Sequence, residues 1–103
     1  MAFRAAFIAH APDADPATHR AVVETPKYKL LVVVVSGQEQ AVAECRRLVE
    51  EEDIHAVMLC PGFTHRDVAE IAEAVGEKVS VNVARGDGPG NRIAMEVIRR
   101  EWA

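Results

Sequence analysis

The sequence predicts one small α/β domain, 1–103, with elements in the order β-α-β-α-β-α-β-α around a four-stranded parallel sheet. Three observations carry that prediction. Four apolar runs of strand length recur along the chain. Helical stripes with recognisable start and stop signals separate them. Three of the four runs are continuously apolar rather than alternating, as strands buried on both faces are.

The first run, "FRAAFIA", covers residues 3–9, and the second, "YKLLVVVV", residues 28–35. "HAVMLC" at 55–60 is the third. The fourth, "VSVNVA" at 79–84, alternates: Val79, Val81 and Val83 face one way and Ser80 and Asn82 the other. That alternation fits an edge strand with one wetter face.

Between the first two runs, Asp15 reads as an N-cap, Pro16 as the first helical residue and Thr25-Pro26 as the stop of a short helix. Ser36-Gly37-Gln38-Glu39 has the spacing of a capping box, and Ala41, Val42, Cys45, Leu48 and Val49 follow as one apolar stripe. Thr64-His65-Arg66-Asp67 is a related cap, backed by Val68, Ile71, Ala72 and Val75 and closed by Gly76. A last helix is expected from about Asn91 to Glu101 with Ile93, Val97 and Ile98 turned inward.

Right-handed crossovers allow two strand orders, 2-1-3-4 with helices on both faces or 1-2-3-4 with helices on one. Neither leaves the strongly apolar second strand comfortable at an exposed edge, so a homodimer covering this surface is expected.

Composition excludes several classes. A net charge of −4 and basic pairs interleaved with acids, Arg46-Arg47 and Arg99-Arg100, argue against a nucleic-acid partner. The longest uninterrupted run, Leu30 to Val35, is too short to cross a bilayer. The opening "MAFRAAFIAHAPDADP" lacks the features of a signal peptide, and Cys45 and Cys60 suggest neither a disulfide framework nor a metal site. The expected address is the cytoplasm, with no cofactor and no metal.

Parallel sheets bind ligands beyond the carboxyl ends of their strands. Those ends carry His10, Ser36-Gly37, "CPGFTH" (residues 60–65) and "RGDGPGN" (residues 85–91). Cys60 precedes a helix N-terminus, which favours the thiolate, and His65 is in place as its acid or base; the alternative is a small apolar residue packed under a turn. In the Gly-rich loop, Arg85 offers charge and Gly88 lets backbone approach an anion, whereas Asp87 repels a phosphate. The plain reading of that loop is a turn around Pro89. The loop is neither a Walker nor a GxGxxG motif. His10 either ends its strand or belongs to a lid formed by the Asp- and Pro-rich loop after it. His19 reads as solvent-facing or an oligomer contact, and His55, at the start of its strand, as structural. Histidines without a carboxylate at ligand spacing do not make a zinc site.

"MAFRAAFI", "APDADP..HRAVVETP" and "LCPGF.H..VAEIAEAVG.KV.V.VAR.DG" together resemble a family of small uncharacterised prokaryotic α/β proteins of about this length. The family's central turn is Gly-Gly-Phe where this chain has Pro61-Gly62-Phe63. The resemblance implies a single-domain fold and an oligomer, and no activity. Three functional readings follow. The first is a homo-oligomeric domain binding a small polar or anionic ligand through His10, Ser36, Cys60, His65, Arg85, Asp87 and Gly88. The second is an enzyme of lyase, isomerase or hydrolase type using Cys60 and His65. The third is a structural or regulatory oligomer with no small-molecule site.

Overall fold

The computed structural model describes residues 1–102. Its elements are β1 (Phe3–His10), β2 (Arg20–Thr25), β3 (Tyr28–Val35), α1 (Gln38–Glu52), β4 (Ala56–Leu59), α2 (His65–Val75), β5 (Ser80–Val83) and α3 (Gly88–Glu101). The fold is α/β, but the sheet is five-stranded and mixed, in the order β2-β3-β1-β4-β5. The four expected strands are β1, β3, β4 and β5, mutually parallel in the 2-1-3-4 order, and β2 is added antiparallel to β3.

That extra strand corrects the expected helix between Asp15 and Thr25. The Asp15 cap does form: its Oδ1 accepts from the Ala17 amide at 3.1 Å, and its carbonyl accepts from the His19 amide at 2.8 Å. The turn ends there because Val22 and Val23 are β-branched and strand-forming, and they pair with β3. Thr25 closes a tight hairpin, its Oγ1 accepting from the amides of Lys27 and Tyr28. So β2 shields the outer edge of the most apolar strand, which solves the edge problem within the chain.

With a hairpin in place of the first crossover helix, only β3-α1-β4 and β4-α2-β5 are crossovers. Both step the same way across the sheet, so α1 and α2 share one face and pack on each other. The expectation that this strand order places helices on both faces is therefore corrected. The core lies beneath α1 and α2: Ile8, Val33, Val35, Val57 and Leu59 from the sheet, Ala41, Cys45 and Leu48 from α1, Ile71 from α2, and Phe63 from the turn before it. Burial drives the Cys45 thiol pKa up to about 12, helped by neighbouring Glu44. Glu44 is itself buried and accepts from Arg20 Nη1 at 2.6 Å and from Arg47 Nη2 at 2.8 Å, which fastens β2 to α1.

The caps behave differently from one another. Thr64 and Asp67 form the full reciprocal box at 2.9 and 3.1 Å, and Gly76 ends α2 with a positive φ of 86°. At α1 the expected Ser36 box does not form. Gly37 is the N-cap, and Ser36 donates instead from its amide and hydroxyl to Gln40 Oε1. The last helix starts at Gly88 rather than Asn91, since Pro89 suits a first turn where no amide is needed. Ile93 and Val97 do not turn inward: α3 buries no residue. Among the described residues, no helix is long and apolar enough to cross a membrane.

Candidate functional site

The carboxyl ends of β1 and β4 lie side by side, in register through Ile8 and Leu59. After β1 the chain leaves toward β2 and β3, and after β4 it leaves toward β5. This divergence is a topological switch point, where open α/β sheets form a ligand crevice. His10 and the Cys60–Phe63 turn meet there, the imidazole packed against Phe63.

Each side chain there is positioned for a physical reason. The Cys60 carbonyl accepts from the Phe63 amide at 3.3 Å, closing a β-turn with Pro61 and Gly62 at its centre. Gly62 is not in the left-handed region, so the backbone does not demand glycine there. What glycine supplies is space. A Cβ at this position would lie 3.6 Å from Cys60 Sγ and 3.6 Å from His10 Nδ1. The His10 ring lies against Phe63 with centroids 4.2 Å apart, and Phe63 is fully buried, so the imidazole rests on a rigid floor. His10 Nε2 is buried and has no hydrogen-bond partner among the described residues.

The opening turns of α1 and α2 meet at this rim. Gln38, first residue of α1, donates its Nε2 to the Asp67 carbonyl at 3.2 Å and to Glu70 Oε1 at 2.8 Å. Two acceptors on that side fix the amide orientation, since the flipped form would set oxygen against oxygen. Gln38 Oε1 is thereby turned away, buried and without a partner among the described residues. Arg85 reaches back from the end of β5 and donates Nη1 to the Phe63 carbonyl at 3.2 Å, which holds its guanidinium beside the turn.

The structure thus gathers His10, Cys60 and Arg85 around the turn. Ser36 is exposed, next along from Val35, which pairs with His10, and is engaged with Gln40. His65 is exposed as the first residue of α2, and no hydrogen bond engages its ring among the described residues. Asp87 and Gly88 sit at the exposed start of α3, where Asp87 makes no side-chain cap. Sequence reasoning missed Gln38 as a site residue, reading it only as part of a cap. The available signal was a polar residue opening a helix at the carboxyl end of a buried strand.

The other histidines serve elsewhere. His55 Nδ1 accepts from the Arg4 amide at 3.0 Å on the opposite rim, where its ring stacks on Phe3. His19 Nδ1 accepts from the Asp15 amide at 2.9 Å. Among the described residues, no group of three or more His, Cys, Asp or Glu side chains could hold a metal ion.

No curated protein and no solved structure matches the chain. The model of a family of unknown function, DUF6506, matches residues 3–97, and the chain belongs to that family.

Proposed function

We propose that this protein binds a small polar or anionic ligand in the crevice between β1 and β4. The observation that carries the reading is that two buried polar atoms at one rim, His10 Nε2 and Gln38 Oε1, have no partner among the described residues. Leaving such a group unsatisfied costs about 1–3 kcal/mol, which a ligand supplying the missing bonds recovers. The two atoms also restrict the chemistry. Gln38 Oε1 only accepts, so the ligand must bring a donor such as a hydroxyl. Arg85 and the amides at the start of α1, which no side chain caps, favour negative charge on the same molecule. A hydroxylated carboxylate or a phosphorylated polyol meets both demands; sulfate meets only one. Two free thiols support placing this activity in the reducing cytoplasm.

A thermal-shift panel of 2-hydroxy acids and phosphorylated polyols, with sulfate as control, tests the proposal. At a hundred times its dissociation constant a ligand adds about 2.7 kcal/mol. For a domain of this size that raises the midpoint by roughly 11–22 °C. The shift should shrink in Gln38→Ala and in His10→Ala. A stabiliser unaffected by both substitutions, or a panel without any stabiliser, overturns the reading.

A second reading rests on Cys60 Sγ and His10 Nδ1, which flank the same Gly62 position. This juxtaposition favours thiol chemistry at the crevice with His10 as the nearer imidazole and His65 as the alternative acid or base. Loss of turnover in Cys60→Ser with ligand binding retained would favour it over binding alone.

A further inference from the structure

Among the described residues, no helix packs on the sheet face opposite α1 and α2. Strand register places Phe3, Phe7, Tyr28, Leu30, Val32 and Met58 there, around an open trough of about 690 Å³. All five strands present uncharged side chains to this side: Ala21, Val23 and Thr25 continue it on β2, Ser80 and Asn82 on β5. The charged residues of the same strands, Arg4, Arg20, Glu24 and Lys29, register on the helix side or at its margin. A sheet face meant for water normally alternates in the opposite sense. This one is built to be covered.

The same chain carries an unused cover. On α3, Ile93, Ala94, Val97 and Ile98 form one stripe, while Arg92, Glu96 and Arg99 lie on the opposite side. Ile93 is 60% exposed, Val97 42% and Trp102 48%. With α3 standing off the core, the molecule measures 42 × 28 × 26 Å and its radius of gyration is 14.0 Å, above the ~13 Å of a compact chain this long.

In the protomer α3 does not use its own sheet, for none of its residues is buried. The short link after β5 starts α3 at the β5 edge of the sheet, where Asn82 and Ser80 form the polar strip of the face and their side chains bond at 2.9 Å. The most apolar part lies on β1 and β3, two and three strands away, or about 10–14 Å at normal strand spacing. A helix of 14 residues is about 21 Å long and spans the ~19 Å between the outer strands. We infer that a second copy of this chain covers the face, each protomer laying α3 across the partner's sheet. Reciprocal exchange gives two such contacts, and a specific interface needs roughly 1,200–2,000 Å² in all.

Light scattering on the full chain at micromolar concentration should give twice the 11.2 kDa protomer mass. Met58→Glu on the sheet and Val97→Glu on α3 change residues exposed in the protomer, so each should abolish the dimer and keep the helical circular dichroism. Mixing the two variants should restore a dimer-sized species, because one chain then offers an intact helix and the other an intact sheet. A monomeric wild type, a Val97→Glu chain that still dimerises, or a mixture that stays monomeric overturns the exchange.

Discussion

Replacing Gly62 with alanine separates the needs of the turn from those of the crevice. The new methyl would sit 3.6 Å from Cys60 Sγ and 3.6 Å from His10 Nδ1, ordinary van der Waals contact that requires neither neighbour to move. Because Gly62 is outside the left-handed region, the backbone accepts alanine without strain. Restricting the unfolded chain should then stabilise the fold by about 0.4–1 kcal/mol, raising the melting midpoint by roughly 2–8 °C. The crevice should respond in the opposite sense. A methylene-sized intrusion into a fitted site costs about 1–3 kcal/mol, so the stabilising compound should bind roughly 5- to 150-fold more weakly. Calorimetric titration and melting curves on both proteins measure the two effects. A variant that melts lower than wild type, or that binds with undiminished affinity, would refute the argument that Gly62 keeps this crevice open.

The cysteines should separate on alkylation. Cys60, half-buried at the rim, should react with iodoacetamide in the folded protein. Cys45, at about 12, holds roughly a thousandfold less thiolate than an ordinary thiol and should stay unlabelled until unfolding, as mass spectrometry would show. Its raised pKa also sets a sign for alkaline stability. Between pH 9 and 12 the unfolded chain gives up the Cys45 proton before the folded one does, so its contribution, intact below pH 9, is lost as pH rises. Denaturant titrations should therefore show wild type losing stability faster than Cys45→Ala over that window, by up to about 1.4 kcal/mol per pH unit; equal slopes would contradict it. Arg20→Met removes one of the two partners of buried Glu44. A loss of about 1–3 kcal/mol is expected, with Arg47 keeping the carboxylate paired, and no loss would mean the tie between β2 and α1 is idle.

How far the sequence discloses all this depends on the range of the forces involved. The four parallel strands and the Thr64 box rest on local patterning, and they were legible. The strand at Arg20–Thr25 was not: Asp15 and Pro16 do begin a turn, and only pairing with β3 decides that Val22 and Val23 extend. Tertiary pairing overrode a local start signal. The bare sheet face follows from that same hairpin, which removed a crossover helix. At the rim, strand ends alone pointed to His10, Cys60 and Arg85. Gln38 became visible only when α2 supplied the two acceptors that turn its carbonyl away. The stripe on α3 was legible as amphipathic, but a pattern of residues does not say whether the covering surface belongs to the same copy.

If a ligand completes the hydrogen bonding at the β1–β4 crevice, the imidazole ¹H–¹⁵N spectrum reports it directly. Titrating the strongest stabiliser of the thermal-shift panel into labelled protein should move the His10 Nε2 resonance saturably, with the midpoint found by calorimetry. His19 and His55, whose Nδ1 atoms are held by backbone amides away from the crevice, should keep their resonances. A His10 Nε2 signal that stays fixed while the compound stabilises the fold would contradict the account.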